Sequence, residues 1–244
     1  MSEPLRIFIG YDKRENDAYL VCANSLRAHA SIPLDVLPLD IDILREDGLY
    51  TRTHSLVNGH TVDDLDGRPF STWFAFTRFL VPRLMNYKGW AIFCDCDFLY
   101  TRDIAEILPM LDPSKAVMVV KHVHIPREFV KMEGQSQASY PRKNWSSFIA
   151  WNCGHQANLA LTSERVNTMP GRSLHAFNWL SGNQIGGFPV TWNWLSGVSE
   201  PLPETPAAIH FTLGIPRMKG HENAPYADLW RAEFNRSAHK ELAS

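Results

Sequence analysis

Cysteine is scarce in this chain. Four residues, Cys22, Cys94, Cys96 and Cys153, are spread over 244 positions. That number does not make a disulfide framework at this length, and none sits in a Cys-x-x-Cys arrangement. Reduced thiols in a cytoplasmic protein are the expectation. Long apolar runs are missing too: no segment reaches the roughly 18 consecutive apolar residues of a membrane span. The start, MSEPLRIFIGYD, lacks the basic region, apolar run and cleavage site of a signal peptide. Peripheral contact with a membrane is left open. An excess of positive charge is also lacking, because the formal net charge is −2. General nucleic-acid binding is therefore not expected. Internal repeats and low-complexity tracts are absent.

What is present suits one globular α/β unit over residues 1–244. Hydrophobic residues make up 45% of the chain, enough for a sizeable core. LRIFIG (5–10) reads as a buried strand ended by Gly10, and residues 16–29 read as a helix capped by Asn16 or Asp17. LDVLPL (34–39) is a second strand, so the chain opens as strand–helix–strand and predicts a largely parallel sheet. Residues 47–70 read as a long polar loop. Residues 71–85 read as an apolar helix capped by Ser71, with Arg78 among phenylalanines. Strands follow at 89–95, 115–123 and 148–154, with a helix at 103–111 begun by Asp103. Residues 126–146 read as a polar excursion. Helical stretches follow around 155–168 and 173–181, strands at 188–195 and 207–211, and a last helix at 226–236.

The segment AIFCDCDFLYTRD (91–103) carries the chemical signal. Its strand ends in Asp95 and Asp97, at the strand end where open α/β sheets gather ligands. Alternate side chains of an extended segment share a side, so the two carboxylates can converge. Like charges that close repel unless neutralised. A divalent cation with oxygen ligands does this. The other reading is that both aspartates cap the next helix or sit in a solvated turn. A phosphatase nucleophile motif would need Gly-Thr after the second aspartate, and this chain has Phe98 and Leu99. Lys121, His122 and His124 form a basic cluster after a strand, read as a solvated strand end. Trp145, Trp151, Trp192 and Trp194 are read mostly as core.

The order IFIGYD, STWFAFTRFLVPRL, IFCDCDFLYTRDI, WNCGH, PVTWN, IHFTLGIP resembles the GT-A glycosyltransferases, most closely the family 8-like enzymes that use nucleotide-sugar donors. The resemblance spans about residues 5–217. It implies a Rossmann-like α/β fold with a central, mostly parallel mixed sheet flanked by helices. It implies transfer of a sugar from a nucleotide-sugar, a UDP-sugar first, to a saccharide, glycolipid or protein acceptor, with retention. The same resemblance puts Gly10, Tyr11 and Asp12 at the base and ribose, and Arg78 near the donor. Asn152 and Gly154 would line the donor sugar, with Asn183 and Gln184 orienting it. Asp95, Asp97 and His210 would hold the metal, Gly214 would lie at the diphosphate, and Lys219 or Arg217 would reach it. An imidazole ligand favours Mn²⁺ over Mg²⁺. A non-catalytic nucleotide- or carbohydrate-binding protein of the same fold is the second reading. It is kept open by the lack of an acid in NWLSGNQIGGFPVTWN (178–193).

Overall fold

The computed structural model describes residues 3–123 and 142–241, with side chains in the last helix to Ser237. His124 and most of the 126–146 excursion lie outside the described residues. In chain order the elements are β1 (Leu5–Tyr11), α1 (Asn16–His29), β2 (Leu34–Asp40), α2 (Ile41–Glu46), β3 (His54–Val57), β4 (His60–Asp63), α3 (Val81–Leu84), β5 (Trp90–Cys94), β6 (Phe98–Tyr100) and β7 (Val117–Val120). Then come β8 (Phe148–Asn152), α4 (Ser163–Thr168), α5 (Gly171–His175), β9 (Ile185–Phe188), β10 (Trp194–Leu195), β11 (Ala208–His210) and α6 (Ala227–Glu241).

Six strands form the main sheet in the order β2-β1-β5-β8-β7-β9. β8 runs antiparallel to both its neighbours, and the remaining pairings are parallel. The sheet is therefore mixed and mostly parallel, as expected. Its central strands are continuous apolar runs because helices and loops cover both faces; Ile92, Phe93 and Val117 are fully buried. Among the described residues, no helix is long and apolar enough to cross a membrane.

A second sheet, β10-β11-β6, matters more for function. β11 pairs antiparallel with β6, setting His210 opposite Phe98. The Phe211 amide donates to the Asp97 carbonyl at 2.9 Å, which extends that pairing to Asp97 itself. Residues far apart in sequence are thus fixed beside one another by backbone hydrogen bonds.

Several local expectations are corrected. The 47–70 segment is no plain loop: β3 and β4 form a hairpin closed by Asn58-Gly59, both at positive φ (51° and 79°). Asn-Gly suits that two-residue turn because both positions need left-handed backbone. Arg52, 4% exposed, fastens the hairpin, reaching Asp63 at 2.9 and 2.5 Å and the Val166 and Met169 carbonyls at 3.0 and 2.7 Å. The 71–85 segment is a 3-10 turn (Thr77–Leu80) followed by α3, not one helix. Pro82 stands in the first turn of α3, where its missing N–H costs nothing. The 103–111 helix is a 3-10 helix, although Asp103 caps it as expected. Neither Asn16 nor Asp17 caps α1; Asp12 caps the short turn before it. Within 188–195, only Phe188 and β10 are strand, and a 3-10 turn separates them.

Gly10 illustrates how closely the fold packs at the end of β1. A Cβ there would lie 2.4 Å from the Phe74 ring. Phe74 is itself buried, so its ring must shift before a Cβ can fit. Gly10→Ala is expected to destabilise the fold by ~1–3 kcal/mol, as other overpacked cores do. Urea unfolding would measure it, and an unchanged midpoint would contradict this packing.

Candidate functional site

The site begins where β5 ends. Cys94 is its last paired residue, opposite Phe148 of β8, and the Asp95 amide donates to the Ser147 carbonyl at 2.9 Å. The chain then steps across to β6, leaving Asp95 (17% exposed) and Asp97 (24%) facing a cleft of about 690 Å³. One ligand atom from each of Asp95, Asp97 and His210 lies within 4.8 Å of the others. Arg78 is buried beside them, and its Nη1 is 2.7 Å from Asp95 Oδ1. That guanidinium also donates to the Ser146 carbonyl at 2.7 Å and the Ala75 carbonyl at 3.1 Å, and stacks over Phe93 and Phe74. It is a fixed cation inside the fold.

Two observations fit this cluster to a divalent cation. Asp95 Oδ1 and Asp97 Oδ1 are buried with no hydrogen bond of proper geometry, despite their charged neighbours. Buried oxygens of this kind ordinarily find a partner. The second concerns His210. Its Nδ1 lies 2.9 Å from Asn193 Oδ1. Asn193 is oriented by its own amide nitrogen, which donates to Ser147 Oγ at 2.9 Å and the Asn144 carbonyl at 3.3 Å. Its oxygen must then face the ring, so Nδ1 carries the proton. In the neutral ring Nε2 presents its lone pair toward Asp97 Oδ1, 3.2 Å away. Two facing lone pairs repel, so a proton or a cation belongs between them.

The titration of these groups follows. Burial pushes the Asp95 carboxyl up to about 7, against the pull of Arg78. Burial also acts to raise Asp97, but the charge of His210 beside it brings it below the ordinary carboxylate range. For His210, burial disfavours the charged ring, and the Asp97 carboxylate outweighs it to raise the pKa. In the metal-free protein a proton on His210 therefore takes the place a cation would fill.

The structure sorts the other expected residues into two groups. Arg78 and Gly214 line the cleft with the three metal candidates. Gly214 sits at φ 140°, where glycine is favoured. Because Ile9 is the last β1 residue paired with β5, opposite Cys94, Gly10 lies beside the point where Asp95 leaves β5. Tyr11 and Asp12 lie at that end but serve the protein. Tyr11 donates to Asn16, and the buried Asp12 binds Arg14 and the Trp73 amide. Asn152, Gly154, Asn183 and Gln184 are not brought to the cluster. β8 is antiparallel, so Asn152 pairs with Trp90 at the opposite end of β5, and its amide donates to the Pro113 and Lys115 carbonyls. Gly154 packs against the Tyr87 carbonyl. Asn183 and Gln184 precede β9, which is parallel to β7, and both accept from the Ser181 hydroxyl as a local cap. Lys219 is exposed and does not line the cleft. Arg217 is held by Asp17 and stacks on Phe234. Nor is the 121–122 end a plain solvated one. Lys121 donates to the Ile185 carbonyl, and burial pushes the half-buried His122 down to about 4.

Sequence reasoning did not single out Asn193, Ser147 or His175. Asn193 had a signal, since it stands in the Trp-Asn segment of the resemblance. His175, which shares a 2.8 Å contact with Ser146 Oγ and is pushed down to about 3 by burial, had none.

No family model matches the chain. Protein CDI of Arabidopsis thaliana is 44% identical over 246 residues, covering 98% of this chain and 90% of that protein. Solved structures share the fold. The bifunctional glycosyltransferase WbbM, in its apo form, has a TM-score of 0.61 at 16% identity, covering 96% of this chain and 50% of that one. Galactosyltransferase LgtC, in complex with donor and acceptor sugar analogs, has 0.61 at 16%, covering 95% and 96%. GlyE of Streptococcus pneumoniae TIGR4, apo, has 0.60 at 13%, covering 99% and 64%. The chain thus spans half of WbbM and under two thirds of GlyE. The fold is the GT-A glycosyltransferase fold.

Two predictions follow from the cluster. Cation binding must displace the protons on Asp95 and His210, so affinity rises with pH. Between pH 6 and pH 8, Mn²⁺ is expected to bind at least ~10-fold more tightly, read by titration calorimetry. A flat profile would contradict the ligand set. Asn193→Ala is expected to weaken Mn²⁺ binding by ~10–100-fold, the usual effect of losing the group that orients a histidine ligand. Full affinity in that variant would show that Asn193 does not set the ring.

Proposed function

The chain belongs to the family of Protein CDI, and from that premise we propose that it is a metal-dependent glycosyltransferase using a nucleotide-sugar donor, a UDP-sugar first. One observation carries the reading. Asp95, Asp97 and His210 converge at the carboxyl end of β5, in a GT-A fold, on a cleft sized for a small organic ligand. When bound there, Mn²⁺ or Mg²⁺ would stabilise the negative charge that gathers on a departing nucleoside diphosphate.

The chain's own groups do the rest. Asp95 and Asp97 would hold the cation from one side and His210 Nε2 from the other. Asn193 keeps that ring in the tautomer a ligand needs. Arg78, unable to leave its carbonyl partners, supplies fixed positive charge beside the leaving group. Gly214 lines the cleft edge, packed so closely on His221 that a Cβ would meet its ring at 2.6 Å. Asn183, Gln184 and Asn152 have no part in this reading. Asn183 and Gln184 sit at the other end of the sheet, so the lack of an acid beside them carries no weight about mechanism.

A binding protein of the same fold is the competing reading, and turnover separates the two. Incubation with Mn²⁺ and a panel of nucleotide-sugars is expected to release free nucleoside diphosphate with at least one donor. Asp97→Asn is expected to lower that release by ~100-fold or more while the protein stays folded. Mn²⁺-dependent nucleotide binding without release from any donor would favour the binding protein. Unchanged release in Asp97→Asn would refute the metal assignment.

A further inference from the structure

The cleft has a second wall whose chemistry the donor and cation do not use. It is built from the turn after β4, the start of α5 and the chain entering β8. Asp66 joins the first two. Its Oδ2 accepts from the Gly171 amide at 3.2 Å and its Oδ1 from the Arg68 amide at 3.1 Å. Gly171 also sits against the Phe76 ring, which a Cβ would meet at 2.4 Å. The buried Arg52–Asp63 pair fixes the hairpin behind the turn. The wall is therefore held in place by the fold, and it presents Arg68, Arg172 and Lys143 to the cleft.

The charge balance is one-sided there. The carboxylates lining the cleft are Asp95 and Asp97, which the cation would occupy, Glu15 and Asp66. Glu15 accepts from the Cys96 thiol at 3.2 Å, and Asp66 is taken by the two backbone amides. Arg68 and Arg172 are exposed and form no ion pair with any carboxylate among the described residues. Arg78 and the cation already answer the charge of a diphosphate. A neutral sugar would leave two guanidinium groups with nothing to bind, whereas planar guanidinium matches carboxylate and phosphate oxygens well.

We propose that the cleft takes an anionic sugar, whose carboxylate or phosphate is held by Arg68 and Arg172 with Lys143 beside them. This rests on the glycosyl-transfer reading. The anion can belong to the donor, as a uronic acid, or to the acceptor, as a sugar phosphate.

Binding in the presence of Mn²⁺ tests it on the wild type and on an Arg68→Ala/Arg172→Ala double variant, both checked for an unchanged melting temperature. On the donor arm, UDP-glucuronate is expected to bind at least ~10-fold more tightly than UDP-glucose. On the acceptor arm, glucose 6-phosphate is expected to outbind glucose by a similar factor at the protein loaded with UDP. Either preference, lost in the double variant while UDP binding is kept, supports the proposal and says which substrate carries the charge. No preference on either arm overturns it. A double variant that loses UDP as strongly as the charged ligands also overturns it, since the arginines would then serve the diphosphate. Absence of any Mn²⁺-dependent UDP binding in the wild type brings down the underlying reading as well, and is distinguished by that result alone.

Discussion

Two half-buried carboxylates held between a buried guanidinium and an imidazole set the terms for the rest of this site. Ionising Asp95 where burial holds it near 7, rather than at its ordinary 3.8, costs the metal-free fold on the order of 4 kcal/mol. That cost is absent below the ordinary carboxylate range, grows as pH rises from there, and is complete above about 7. The pull of Arg78 is already included in that cost, and a divalent cation would offset what remains. A folded chain rarely keeps such strain without use. The surroundings point the same way: Asn193, Ser147 and Ser146 spend their hydrogen bonds on holding His210 and Arg78 rather than on solvent.

The geometry depends on register. His210 meets Asp97 because β11 pairs with β6 and places His210 against Phe98, their rings stacked at 4.5 Å. A slip of one residue would turn His210 to the other face of that small sheet. The buried rings of Phe98, Tyr100 and Phe148 resist such a slip by packing. The core and the site are thus not separable, and the small sheet exists at the place where the cation would sit.

Much of this was legible in the residues. The apolar runs of β1, β5 and β8 read as buried strands, and Asp95 and Asp97 at the end of one pointed to a cation. The resemblance added His210, which no local pattern could have joined to a site so distant in sequence. The errors have physical causes. The resemblance puts Asn152 at the donor sugar, but β8 runs antiparallel to β5 and carries it to the opposite end of the sheet. Residues 71–85 are rich in apolar residues without a clean period, which hides whether a helix or compact turns bury them. Asn58-Gly59 did carry a hairpin signal, masked by the polar residues around it. Nothing in the sequence joins Arg68 to Arg172, since the Asp66–Gly171 contact that brings their segments together is tertiary.

The proposed function rests on one central claim, that Asp95, Asp97 and His210 can hold a cation jointly. Electron spin echo modulation of protein-bound Mn²⁺ tests it most directly, because an imidazole ligand imprints its nitrogen on the metal's spin. The account predicts nitrogen coupling from one histidine in the wild type, shifted by ¹⁵N-histidine labelling and absent in His210→Ala. Bound Mn²⁺ with no nitrogen coupling, or coupling that survives in His210→Ala, would contradict it.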